Sequence, residues 1–270
     1  MTIKLVTNKK IAETSSKGNQ EKWFDEKSNL WYKLDLFGYE ALAETSVSCL
    51  LKKCNIDEKG FQLVEYNMEK IDVRKHLRTA CSSENFLQYG EELITIAHLL
   101  KKCIGSNYLK ELEKQKSLQK KIEYIVNNVK SITNLDRFGE YLTILFEADM
   151  LFLNDDRHLN NIAVIRKEDQ FRYCPLFDFG AGVLSNTKEY PLDIEPSGLI
   201  KNVIARPFNC SFSRQVKAAQ ALYGKQLELA FTETDIDTAL KEIDAYYPNI
   251  YATEFRDRIK TCLKIQGKKI

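Results

Sequence analysis

The spacing of apolar positions changes repeatedly along the chain. Ile3-Lys4-Leu5-Val6 alternates and predicts a short edge strand. Asn29-Leu30-Trp31-Tyr32-Lys33-Leu34-Asp35 predicts a second strand with a lysine at its centre. After Gly38 the spacing becomes helical. Leu42, Ala43, Val47, Leu50 and Leu51 predict a helix over 39–53, and Glu40 and Glu44 lie on it. Phe61-Gln62-Leu63-Val64-Glu65-Tyr66-Asn67 reads as a strand running into polar residues. Helical stripes then predict elements over 84–103, over a highly charged 108–130, and over an apolar 135–153 with Asn134 as N-cap. Two short apolar runs, 162–165 and 172–177, flank a turn around 167–170 and predict a hairpin. Residues 179–209 contain Gly180, Gly182, Pro191, Pro196, Gly198 and Pro207 and read as one long loop that buries little against its ordering entropy. Helices over 211–231, 235–247 and 250–265 close the chain.

Composition narrows the function classes. With 270 residues, 44% of them hydrophobic, the chain can bury a sizeable core. A net charge of +2 gives no argument for nucleic acid. No apolar run reaches membrane-spanning length, and residues 1–10 lack the apolar segment of a signal peptide. Seven scattered cysteines form no C-x-x-C pair, and with three scattered histidines they argue against zinc. They read as reduced thiols of a cytoplasmic protein.

The candidate chemistry sits in 154–161 and just beyond it. Asp156 opens a polar loop, Asn161 follows five positions later, and Asp178 ends the second hairpin run ahead of Phe179 and Gly180. Phosphoryl transfer needs such a set: one carboxylate to orient or deprotonate an attacking hydroxyl, and a carboxylate plus an amide to bind Mg²⁺. D-F-G alone occurs by chance in about one chain in thirty of this length, whereas D-R-H-x-x-N occurs in about one in a thousand. Upstream, a loop with Gly18, the Lys33 strand and a helix bearing Glu40 and Glu44 follow in an order that suits nucleotide phosphates. The sequence has no G-x-x-x-x-G-K-[ST], which disfavours a P-loop NTPase.

These motifs resemble a known family. Protein kinases space the catalytic Asp and metal Asn by five, with a D-F-G Asp on the following arm. The inverted order Asp156-Arg157-His158-x-x-Asn161 resembles HipA-like and phosphoinositide-3-kinase-like enzymes. Ser15-x-x-Gly18-x-Gln20-x-Lys22 resembles the phosphate loop of HipA-like serine/threonine kinases. The resemblance implies an α+β, two-lobed protein-kinase-like fold, with a small mixed β lobe over 1–68 and a larger, mainly helical lobe over 69–270. It implies ATP and Mg²⁺ as cofactors, with Asp156 catalytic and Asn161 and Asp178 holding metal. Lys33 would be the ATP lysine and Glu44 its partner, the E-x-x-x-x-x-L-L pattern favouring Glu44 over Glu40. Ser15, Ser16, Lys17, Gly18, Asn19, Gln20 and Lys22 would cover the phosphates. Glu65, Tyr66 and Asn67 would form the adenine-binding hinge, and His158 would join the nucleotide-contacting set. Residues 178–209 would be the activation segment. Further implications are phosphorylation of a protein Ser or Thr, self-phosphorylation at Ser15 or Ser16, and an antitoxin-type regulator of a toxin-like enzyme. The chain has no room for the extra N-terminal subdomain of full-length HipA toxins, so the resemblance is to a compact, core member. The alternatives are a lipid or small-molecule kinase, which shares the D-R-H order, and a pseudokinase binding module.

Overall fold

In the computed structural model the described residues are 20–269, apart from Arg74. The edge strand expected at Ile3–Val6 and the loop residues Ser15, Ser16, Lys17, Gly18 and Asn19 lie outside them. The described residues form an α+β fold of two lobes. The small lobe is built on β1 (Lys22–Asp25), β2 (Leu30–Leu34), β3 (Asn67–Val73) and β4 (His76–Glu84), an antiparallel sheet in the order β1-β2-β4-β3. One face packs Trp23, Tyr32, Leu34, Ile71, Val73 and Ala80 together. The expected boundary at residue 68 falls inside this sheet, because β3 and β4 pair over seven positions from Asn67 to Val73. The chain leaves the sheet only over 85–91.

Helix α1 (Glu40–Leu51) lies between the sheet and the rest of the molecule, and Cys49 alone of its residues is not buried. Its small and apolar residues on every face explain this, since a helix apolar all round belongs in an interior.

The large lobe opens with β5 (Glu92–Thr95), which pairs with β6 (Ala163–Lys167), itself paired with β7 (Gln170–Tyr173). Leu93 and Ile94 therefore belong to a strand, and the helix expected over 84–103 shortens to α2 (Ile96–Cys103), capped by the Thr95 hydroxyl accepting from His98 N. The charged stretch 108–130 divides into α3 (Tyr108–Glu113) and α4 (Leu118–Thr133), with Ser117 capping the second. Asn134 closes α4 instead of opening the next helix. Its φ of 57° is left-handed, a conformation asparagine tolerates at helix ends. Helix α5 (Phe138–Phe152) is buried along almost its whole length and is the axis of the main core.

Helix α6 (Phe212–Tyr223) stops at Gly224 (φ 73°). The following chain is extended because the buried Glu147 carboxylate accepts from Gln226 N and Leu227 N. Helices α7 (Glu233–Ala239), α8 (Ile243–Tyr246) and α9 (Asn249–Gln266) then pass behind α1. Asn55 Nδ2 donates to Gln226 O, Lys53 pairs with Asp235, and the Tyr39 ring lies tilted 4.3 Å from that of Phe255. The C-terminal segment thus touches both lobes.

Candidate active site

The site is a cleft of about 490 Å³ between the lobes, lined among others by Gln20, Lys22, Lys33, Asp156, Asn161 and Asp178. In β2, Tyr32 and Leu34 face the small-lobe core, so strand alternation sends Lys33 to the opposite face. Lys33 Nζ donates to Glu44 Oε1 at 2.5 Å and to Asp178 Oδ1 at 2.7 Å. Glu44 Oε2 accepts from Phe179 N at 2.8 Å. Glu40 does different work: its carboxylate accepts from Leu36 N, Phe37 N and Gly38 N and closes the loop before α1.

Lys22 lies directly across from Lys33 in the β1–β2 register, so two ammonium groups oppose one another. Like charges placed this way are destabilising unless anions lie between them. Burial lowers the Lys22 ammonium, and Asp178 works against that drop. Burial also acts to lower Lys33, but Asp178 and Glu44 outweigh it and hold it well above its ordinary value. Burial would raise Asp178, but Lys33 and Lys22 hold it below the usual carboxylate range. Glu44 is raised by burial, with Lys33 opposing.

Asp178 has a left-handed backbone, φ 65°, unusual for a residue with a side chain. The strain is held by its surroundings. Asn154 Nδ2 donates to Asp178 O, and Phe179 is buried in the core. A Cβ at Gly180 would come within 3.3 Å of Glu44 Oε1, so the glycine lets this carboxylate approach the backbone.

Asp156 is half-buried. Its carboxyl is raised by burial, His158 pulls it down, and Asp178 adds to the rise. Asn161 Nδ2 donates to Asp156 O at 2.9 Å, so a cation could be met only by the amide oxygen of Asn161. The oxygen donors of Asp178 and Asn161 on one cleft wall fit a hard cation that keeps several waters, which is the habit of Mg²⁺.

Arg157, inside the D-R-H motif, does not face the cleft. It is fully buried, bonds Asp149, and donates to Asn161 O at 3.0 Å and to Phe177 O at 2.7 Å, ahead of Asp178. Its guanidinium lies 4.6 Å from the Phe179 ring. One buried cation thus ties the loop carrying Asp156 to the segment after β7 that carries Asp178. Sequence reading missed this pair, although Asp149, a second carboxylate beside Glu147 in the apolar second half of α5, was the available signal.

Other sequence-derived residues fall elsewhere. Gln20 lines the cleft and donates through Nε2 to Leu34 O. Tyr66 lies with its ring 5.3 Å from Lys33 Nζ. Glu65 pairs with Lys52 on the surface, and Glu65 and Asn67 border a second cavity shared with Glu84, Asn85 and Phe86. Residues 65–67 lead into β3 and do not join the lobes, a task that falls to 85–91. His158 is outside the cleft lining, with Nε2 3.8 Å from Asp156 Oδ1. Asp155 and Tyr190 line the cleft and share a hydrogen bond that sequence reading did not anticipate.

The segment 179–209 is packed. Val183, Leu184, Tyr190, Val203 and Ala205 are buried, Tyr39 Oη donates to Val183 O, and buried Arg258 of α9 donates to Tyr190 O and Pro191 O. Its Gly and Pro residues mark turns between anchored points.

No family model and no curated protein matches this sequence. Among solved structures, the chain is similar to the Helicobacter pylori proinflammatory kinase CtkA, with a TM-score of 0.64 at 16% identity over 95% of this chain and 89% of that one. The chain shares the fold of that kinase. It is also similar to HipA of Shewanella oneidensis MR-1, solved with HipB and operator DNA, with a TM-score of 0.50 at 12% identity over 94% of this chain. The chain spans 64% of that HipA. In this HipA-like fold, β1–β4 and α1 form the small lobe and α2–α9 most of the large one. Among the described residues, no helix is long and apolar enough to cross a membrane.

Proposed function

We propose that the chain is an ATP- and Mg²⁺-dependent protein kinase that phosphorylates a Ser or Thr hydroxyl. The observation carrying this reading is that Lys33 is bonded at once to Glu44 and Asp178, in a cleft that also receives Asp156 and Asn161.

Lys33 and Lys22 would bind the phosphates, with Glu44 holding Lys33 in place. Asn161 and Asp178 would hold Mg²⁺, which when bound neutralises phosphate charge. Asp156 orients the acceptor hydroxyl and takes its proton. The hydroxyl oxygen forms the new bond to the γ-phosphorus, and the bond to the β–γ bridging oxygen breaks with its electron pair leaving on ADP. The elevated carboxyl of Asp156 suits a group that must accept a proton. The connecting segment 85–91 is proposed to meet the base in place of 65–67. Ser15–Asn19 are proposed to complete the phosphate cover with Gln20, Ser15 or Ser16 serving as the self-phosphorylation site.

The likeness to a HipA solved with HipB supports a regulator of antitoxin type, and seven free cysteines suit a cytoplasmic setting. Incubation of purified protein with γ-labelled ATP, Mg²⁺ and a mixed protein lysate tests the activity. Label should enter serine or threonine with wild type and be lost with Asp156→Ala. Label found only in lipid or a small molecule would replace the protein-kinase reading, and no label at all would remove it.

A further inference from the structure

We propose that Asp35 and Tyr247 are positioning residues that set the Lys33–Glu44 pair. The functional consequence rests on the kinase reading, but the geometry does not. Asp35 directly follows β2, the strand that carries Lys33, two residues after that lysine. Its Oδ1 accepts from Ala41 N at 2.6 Å, in the first turn of α1, which carries Glu44. Tyr39, at the N-cap position of α1, makes no side-chain cap bond, so the Asp35 carboxylate supplies the cap from upstream and sits at the positive end of the helix. One carboxylate therefore links the strand of Lys33 to the helix of Glu44.

The second oxygen of that carboxylate is held from the far end of the chain. Tyr247 Oη donates to Asp35 Oδ2 at 2.7 Å, and Tyr247 is buried. Its ring packs edge-on against Phe255, which in turn packs against Tyr39. The residue before it is anchored separately: Lys70 Nζ and Thr79 Oγ1 both donate to Tyr246 O, and Tyr246 Oη donates to Met68 O. Arg78 donates to Asp35 O, and Asp35 N donates to Thr79 O, so the Asp35 backbone is also fixed. A largely desolvated carboxylate is costly without donors, and Tyr247 and Ala41 are its two. Loss of the tyrosine hydroxyl leaves the cap under-satisfied and frees the start of α1 to shift. Glu44 is one helical turn further along, so such a shift loosens its hold on Lys33.

The test compares wild type, Tyr247→Phe and Tyr246→Phe. Each variant removes one hydroxyl from the same segment, but only Tyr247 reaches Asp35. The first readout needs no nucleotide. Limited acetylation with acetic anhydride, followed by peptide mass mapping, reports how freely the Lys33 amine reacts. Tyr247→Phe should raise Lys33 labelling about threefold relative to the other lysines, while Tyr246→Phe labels as wild type. The second readout is calorimetric titration with ATP and Mg²⁺, in which Tyr247→Phe should bind about tenfold more weakly. Equal Lys33 labelling in all three proteins overturns the inference, as does an equal rise in both variants, which would mean general loosening. Wild type that fails to bind ATP would overturn the proposed function and leave the labelling to decide this inference.

Discussion

Arg157 and Asp149 form an ion pair with both side chains fully buried, the Arg157 Nε lying 3.0 Å from Asp149 Oδ2. The pair stands below the cleft and spans the two segments that carry Asp156 and Asp178. Burial alone would lower the arginine and raise the aspartate, and each offsets the other's cost.

Breaking a buried pair strands a charge, so Asp149→Ala should destabilise the protein by about 3–5 kcal/mol. The urea midpoint measures this. A change below ~1 kcal/mol would mean that the guanidinium finds water or other partners, contrary to its enclosure here.

Asp178→Ala and Asp156→Ala should separate binding from turnover. Asp178 contacts Lys33 and is a proposed metal ligand, whereas Asp156 is proposed to touch only the acceptor hydroxyl. Calorimetry with ATP and Mg²⁺ should show binding lost in Asp178→Ala and kept in Asp156→Ala, with turnover absent from both. Equal loss of binding would refute this division of roles.

Asp35 gives a pH dependence with a definite sign. Burial raises its carboxyl from 3.8 to about 7, with Tyr247, Ala41 N and Lys70 opposing the rise and Glu40 adding to it. The folded state therefore holds this proton more tightly than the unfolded chain. The resulting stability is fully present below the unfolded value and is lost as pH rises through about 7. Asp35→Asn should thus gain stability relative to wild type as pH increases from ~5 to ~8. Urea melts of both proteins across that range check it, and a constant difference between them would contradict the assignment.

The segment 179–209 should resist limited proteolysis, because its burial and its bonds to Tyr39 and Arg258 hold it to both lobes. Arg258→Ala removes the donor to Tyr190 O, Pro191 O and Ile194 O. Cleavage should then appear first near 190–195. Early cleavage there in wild type would show that these contacts do not hold the segment in solution.

Local signals carried much of this protein's plan. Apolar periodicity marked β2, the β6–β7 hairpin and the buried helix before the Asp156 loop, because strand and helix periods are set by neighbouring residues. The D-R-H-x-x-N and D-F-G motifs pointed to the HipA-like kinase fold because their spacing is local as well. Pairings between distant segments were not legible. Leu93 and Ile94 read equally as part of a helical stripe until β6 supplied hydrogen-bond partners. Asn134 could open or close a helix, and the packing of α4 and α5 decided it. Glycines and prolines in 179–209 suggested looseness, yet the anchoring partners, Tyr39 and Arg258, lie far off in sequence. The helix pattern after Glu44 favoured it over Glu40 as the partner of Lys33, and the structure adds the reason: Glu40 is taken up by Leu36 N, Phe37 N and Gly38 N. The sequence by itself determined which residue types and local elements were available. Tertiary structure alone decided which side chains meet, because burial, charge pairing and hydrogen bonding act across space between residues as far apart as Asp35 and Tyr247.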